Sequence, residues 1–311
     1  SLLLGLAPYV LRHDGLLDKP NERSSHSQPT LRGAGIFLAI AAISVSILFD
    51  FPWLVAVALT FFVLLGFLDD IFNLPAVARL IAQLVFAMLL IWVLASLLGP
   101  ATISFIVTAS LVVLAVLIVN ETNFMDGING MSVACGLVMS ISFATLLALE
   151  DQLIFALLMM AVAGACLAFM PWNFRRNARL FLGDSGSYFL GAAYAMSVLV
   201  LLRQQVSPIV ALAPLTVYVF DTSSVIAWRL IRRENFMQAH RGHAYQRLIQ
   251  SGFSHVSVAV AASFLSGLCG FAAVLVQMEG ISDAALAGAC VAFGLLWILS
   301  PLAATRYPRN L

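Results

Sequence analysis

Ten long apolar stretches constrain this chain more than anything else in it. They run over 34–49, 52–68, 77–98, 101–119, 131–149, 152–170, 186–202, 208–228, 255–276 and 283–303. Each approaches the roughly 20 residues that a helix needs to cross a bilayer. In hydrocarbon every backbone N–H and C=O must bond within the protein, so only helices and closed barrels cross. Barrel strands alternate apolar with polar residues, and these stretches do not. The chain is 62% hydrophobic and 10% charged, whereas soluble domains carry about 25% charged residues. The expected fold is therefore all-α: one polytopic helix bundle over 1–311, with ten full transmembrane helices and a partial first one. That partial helix rests on the short run Leu2–Leu11, read as the tail of a helix whose beginning is missing or short.

The cations sort by side. Numbering the connections alternately places 15 of the 16 Lys and Arg on one side and leaves Arg203 on the other. Positively charged loops stay cytoplasmic, so the C-terminus and the connections 12–33, 69–76, 120–130, 171–185 and 229–254 are expected there. Joints on the opposite side are short, such as Gly99-Pro100 and Glu150-Asp151. A bundle this asymmetric is expected to work at its cytoplasmic face. The net charge of +1 identifies no partner, and no nucleic acid is expected. The four cysteines, Cys135, Cys166, Cys269 and Cys290, lie far apart in apolar runs without metal-ligand spacing. They read as small buried hydrophobes.

The polar chemistry gathers in five motifs on the cationic side. In DKPNERSSHSQPTLRGAG, Lys19, Arg23 and Arg32 precede glycines that open a helix, and helix N-termini favour anions. FLDD places Asp69 and Asp70 at the mouth of the span 52–68, where they could cap the next segment or organise a cation, proton or phosphate. NETNFMDGING spaces Asn120, Asn123, Asp126 and Asn129 by three, which on a helix would align them on one face. Such oxygen donors suit Mg²⁺, which takes few protein ligands and shares substrate phosphates. FLGDSGS sets Asp184 just before a span, with a helix N-cap as the local alternative. HRGHAYQRL carries His240, Arg241, His243 and Arg247; no third ligand supports zinc, and Arg with His suits phosphate recognition. Asp221, inside the span 208–228, is an intramembrane acid and so a functional hypothesis in its own right, with Arg229 or a neighbouring helix as its expected partner.

These five motifs, in this order, resemble the polyprenyl-phosphate N-acetylhexosamine-1-phosphate transferase superfamily over nearly the whole chain. The HRGH form of the last loop is most similar to the branch that initiates O-antigen and related glycans. The resemblance implies a multi-span bundle in the bacterial inner membrane with a cytoplasmic cleft. It also implies Mg²⁺, with Mn²⁺ as a tolerated substitute, and a homodimer in some relatives. The implied reaction moves N-acetylhexosamine 1-phosphate from a UDP-sugar to undecaprenyl phosphate and releases UMP.

Carried over by motif, Asp184 and Asn123 would ligate the metal. Asp126 matches the acid of the family's DG pair. Asn129, which stands where many relatives carry a second Asp, would contact the nucleotide, as would Asn173. Phe181 matches an aromatic that lies against uracil. Asp69 and Asp70 match a pair assigned to the lipid phosphate or to acid–base work. His240, Arg241 and His243 match the loop that meets the sugar diphosphate. The rival class is a transporter using Asp221, but no internal repeat appears and the polar motifs sit at one face rather than at midplane.

Overall fold

The computed structural model describes residues 5, 11, 16–18, 29–99, 104–233, 242–280 and 282–304. Two short strands, β1 (Leu17–Asp18) and β2 (Thr30–Leu31), pair antiparallel with Leu17 opposite Leu31. Then come α1 (Gly35–Ile47), α2 (Trp53–Phe72), α3 (Ala76–Leu98), α4 (Phe105–Met125), α5 (Met131–Leu149), α6 (Leu153–Asn173) and α7 (Gly183–Arg203). The chain continues through α8 (Pro208–Leu212), a 3-10 turn (Ala213–Leu215), α9 (Thr216–Ile231), α10 (Ala244–Gln250), α11 (His255–Glu279) and α12 (Asp283–Ala304).

The all-α reading holds, with the small hairpin as an unforeseen addition. The expected count of ten full spans does not. Among the described residues, nine helices are long and apolar enough to cross a membrane, counting 208–231 as one. The stretch 34–49 yields a helix of 13 residues, about 20 Å at 1.5 Å per residue and short of the roughly 30 Å hydrocarbon core. The span at 208 is broken because Pro214 has no N–H to give its helix; the chain tightens there into the 3-10 turn. The run Leu2–Leu11 lies outside the described residues except for Gly5 and Leu11.

Three boundaries shift in ways that matter for the motifs. α2 runs on to Phe72, so Asp69 and Asp70 ride on its last turns. α4 runs on to Met125 and carries Asn120 and Asn123, while Asp126 follows its end. α7 begins at Gly183, which puts Asp184 in its first turn rather than ahead of it.

α7 is the axis of the bundle. Every residue from Ser185 to Leu201 is buried, whereas α3 and α12 turn most of their surface outward. Its sequence explains this. Lipid tails are as apolar as Leu, so membrane helices associate through close packing, and small residues permit it. α7 opens GDSGS and continues GAAYAMS. α1, α2 and α4 all pack on it, and glycines mark the closest approaches. A Cβ on Gly66 of α2 would overlap the carbonyl group of Asp184, and one on Gly35 of α1 would overlap the backbone of Gly186. The loops are stitched as tightly. Phe181 N–H donates to Leu31 O at 2.8 Å and Gly35 N–H to Leu182 O at 2.8 Å, so the hairpin segment and the approach to α7 form one layer over this end.

Gly66→Ala is expected to force α2 off α7 and cost about 1–3 kcal/mol, the usual range for overpacking. Gly164→Ala, with nothing within 4 Å of the added carbon, is expected to be neutral or stabilising by up to about 1 kcal/mol. Thermal unfolding of the two variants in detergent checks the contrast.

Candidate active site

The polar cluster is built on the first turn of α7. A helix N-terminus leaves backbone N–H groups without partners, and the residue before α7, Leu182, has no side chain that can cap them. Asp70 supplies the cap from α2. Its Oδ1 accepts from Asp184 N–H at 3.0 Å and its Oδ2 from Ser185 N–H at 3.1 Å. An anion there is favoured by the helix dipole as well as by the two bonds. Arg32, half-buried, lies within electrostatic reach of the same carboxylate, and its guanidinium donates to Asn73 Oδ1 at 3.1 Å.

Asp69 turns the other way. Its Oδ2 accepts from Arg79 at 2.8 Å and from the Tyr188 hydroxyl at 3.2 Å. Its Oδ1 accepts from Leu74 N–H at 2.8 Å. Asp69 thus caps the α2–α3 turn and ties both helices to α7. Asp69 and Asp70 are 3% and 1% exposed, so both are held by protein donors rather than displayed to water.

Asp184 faces α4. Asn123 Nδ2 donates to Asp184 Oδ1 at 2.6 Å and to Ser187 Oγ at 3.0 Å. The carboxylates of Asp69, Asp70 and Asp184 interact electrostatically, and Asp126 feels Asp70 as well. Burial is the main force pushing the Asp126 carboxyl up to about 7, and the charge of Asp70 adds to it. Four acids around one helix end, against Arg32 and Arg79, leave an excess of negative charge that a cation would relieve.

The cluster offers oxygen donors of the kind magnesium takes. Among the described residues no three His, Cys, Asp or Glu side chains converge as a closed metal cage. Mg²⁺ does not require one, because it keeps waters and uses one or two carboxylates plus substrate phosphates. By the resemblance Asp184 and Asn123 would hold it, which requires the Asn123 amide, whose Nδ2 faces Asp184, to turn its oxygen toward the ion. Asn120, expected to share that face, instead donates to Gln83 on α3 at 2.6 Å.

The remaining sequence candidates knit the surrounding loops. Asn129 is buried and donates to the carbonyls of Arg175 and Arg176 at 3.2 and 3.1 Å. Asn173 accepts from Gly130 N–H at 2.7 Å and donates to Leu180 O at 3.0 Å. Phe181 is half-buried beside Leu180 on the same layer. Lys19, His240 and Arg241 lie outside the described residues. His243 is buried against Asp221, with Nδ1 at 2.8 Å from its Oδ1. The partner of Asp221 was expected to be Arg229 or a neighbouring helix. Its carboxylate is taken up by His243, by Ala244 N–H and by Trp297 of α12, which leaves the transporter reading without an open acid.

Sequence reasoning passed over Tyr188, Arg79 and Trp297 as site residues. Tyr188 lies four residues after Asp184 on one face of α7, a spacing that carried the signal. Trp297 has no local signal, since it sits in an apolar helix among other apolar residues.

The model of the family described as Glycosyl transferase family 4 matches residues 52–202, the segment that carries Asp69, Asp70, Asn123, Asp126 and Asp184. The chain is 28% identical to a probable undecaprenyl-phosphate N-acetylglucosaminyl 1-phosphate transferase of Bacillus subtilis, over 78% of this chain and 72% of that one. It is 29% identical to the decaprenyl-phosphate N-acetylglucosaminephosphotransferase of Mycolicibacterium smegmatis, over 93% and 82%. A phospho-N-acetylmuramoyl-pentapeptide-transferase of Caldicellulosiruptor bescii is 25% identical over 87% and 89%. The match to glycosyl transferase family 4 over residues 52–202 and the names of these relatives support placing the chain in the superfamily of polyprenyl-phosphate N-acetylhexosamine-1-phosphate transferases.

Proposed function

We propose that this membrane protein transfers N-acetylhexosamine 1-phosphate from a UDP-sugar to undecaprenyl phosphate at the cytoplasmic face of the bacterial inner membrane. The sugar would be N-acetylglucosamine or a 6-deoxy relative, and the product would begin an O-antigen or related envelope glycan. The observation that carries the reading is the Asn123–Asp184 pair at 2.6 Å, set on a helix N-terminus and ringed by further acids. The relatives' names support the reaction class, and the HRGH sequence supports the choice of branch.

The chemistry follows from charge. A lipid phosphate oxygen attacks the phosphorus that bears the sugar; a P–O bond forms, the P–O bond to the bridging oxygen breaks, and UMP leaves with that oxygen. A phosphate monoester has its second pKa near 6, so the nucleophile is already dianionic at neutral pH and needs little help from a base. The harder task is bringing two anions together. Magnesium bound at Asp184 and Asn123 would neutralise diphosphate charge and ease the departure of UMP. Asp70 holds the first turn of α7, and with it Asp184, in place. Asp69 does the same for α3 through Arg79. Both act here as positioning residues. Asn129, Asn173 and Phe181 shape the loop layer against which the nucleotide would lie, and by the resemblance Lys19, Arg32, His240, Arg241 and His243 would meet the diphosphate. Asp126, whose carboxyl burial pushes up to about 7, would add negative charge beside Asn123 as pH rises above that value.

Incubating membranes with labelled UDP-N-acetylglucosamine, undecaprenyl phosphate and Mg²⁺ is expected to release UMP and leave label in the lipid. Release of UDP instead would mean ordinary glycosyl transfer, and a panel of UDP-sugars then ranks the donors. Asp184→Asn is expected to abolish turnover; a near-normal rate would remove Asp184 from the metal site. Asp70→Asn keeps one acceptor oxygen for two N–H groups. It is expected to cost about 1–3 kcal/mol of stability and to lower turnover at every pH. A loss confined to one limb of the pH–rate profile would instead make Asp70 an acid or base.

A further inference from the structure

The five motifs leave one buried acid without a task. Asp221 sits in α9, ten residues short of its end at Ile231, and is 0% exposed. Burying a carboxylate is costly unless donors meet it, and a helix at this depth could carry an apolar residue instead. Three donors from three places converge on it. His243 Nδ1 lies 2.8 Å from Oδ1, Ala244 N–H donates to the same oxygen at 3.1 Å, and Trp297 Nε1–H donates to Oδ2 at 2.8 Å. Indole and backbone N–H groups only donate, a set that matches an ionised carboxylate and makes Nδ1–H the third donor. In the neutral form of the imidazole the lone pair would then sit on Nε2.

The loop that His243 belongs to is clamped to the candidate active site. The ring stacks on Tyr245 with centroids 5.4 Å apart and lies 6.3 Å from the ring of Phe124, the neighbour of Asn123. Tyr245 OH donates to Phe124 O at 3.0 Å. A Cβ on Gly127 would overlap that hydroxyl, so glycine is required where α10 meets the end of α4.

We propose that Asp221 is a positioning residue: with Trp297 behind it, it fixes the orientation and tautomer of His243 and seats the 242–250 segment on the α4 end of the site. The consequence for turnover rests on the phosphosugar-transfer reading above; the tautomer does not. A metal-ligating His gains its orientation from a carboxylate on its other nitrogen, and loss of such a partner costs 10–100-fold. The same physics applies to an imidazole that faces a diphosphate.

The test uses the full-length protein in detergent. In ¹⁵N imidazole spectra, His243 is assigned by its absence in His243→Phe. Wild type is expected to show Nδ1 protonated and hydrogen-bonded. Asp221→Leu, which removes every acceptor, is expected to lose that pattern. Asp221→Asn in a Trp297→Phe background keeps one carbonyl for His243 and no opposing donor, and is expected to restore it. A His243 tautomer unchanged in a folded Asp221→Leu overturns the proposal, whether or not the wild type releases UMP. Absence of UMP release by wild type alone counts against the transfer reading instead. In the kinetic arm, Asp221→Leu is expected to lower kcat about 10–100-fold with KM for the UDP-sugar within about twofold. In a His243→Phe background the same change should cost little more, because groups that act as a unit are not additive. Additive losses, or a loss carried by KM alone, overturn the positioning role.

Discussion

The contact between the Asp70 carboxylate and the first amides of α7 governs the polar end of this molecule. α7 is buried along its length, and its N-terminus has no cap of its own. An uncapped helix end inside a bundle strands N–H groups that water cannot reach. Placing the cap on α2 solves this and also fixes one helix against another. It sets where Asp184 stands, and hence where Asn123 of α4 finds it. Gly66 and Gly183 allow the approach, since a side chain at either would strike the opposing backbone or the Asp70 carboxylate itself.

A second carboxylate, Asp221, plays the corresponding part on the far side of the cluster. It gathers α9, α12 and the start of α10 about one buried charge. In hydrocarbon there is little hydrophobic force between helices, so hydrogen bonds to buried acids and close glycine contacts carry the specificity of the arrangement. Both are visible here at the same end of the bundle. The opposite end shows a lone arginine, Arg203, turned onto the carbonyls of Leu98 and Gly99 at 3.4 and 3.3 Å.

The helices themselves were legible because hydrocarbon imposes a length and an apolar composition on any segment that crosses it. The exceptions have local causes. α1 stops short because Asp50 and Pro52 follow so soon, and α9 starts late because Pro214 interrupts the run. Asn123 and Asp184 were singled out from loop-like motifs, and the structure brings them to 2.6 Å across 61 residues of chain. Asn129 and Asn173 were also singled out, and their side chains prove to be bonded to backbone of the facing loops. Composition marks a polar residue as unusual in an apolar chain but does not say whether its partner is a ligand or a carbonyl group.

What the sequence by itself determined is the apolar solvent of the helices, the helical class, the grouping of the polar motifs and the resemblance to the superfamily. All four follow from composition and from short motifs read in order. What only the tertiary structure decided is the partner of each buried polar group. Asp69, Asp70 and Asp221 look alike in the sequence as acids in or beside apolar runs. One ties Arg79 and Tyr188, one caps α7, and one holds His243. The reason is physical: a buried charge must find its donors wherever the packing brings them, and those donors lie on other helices, up to 119 residues away along the chain.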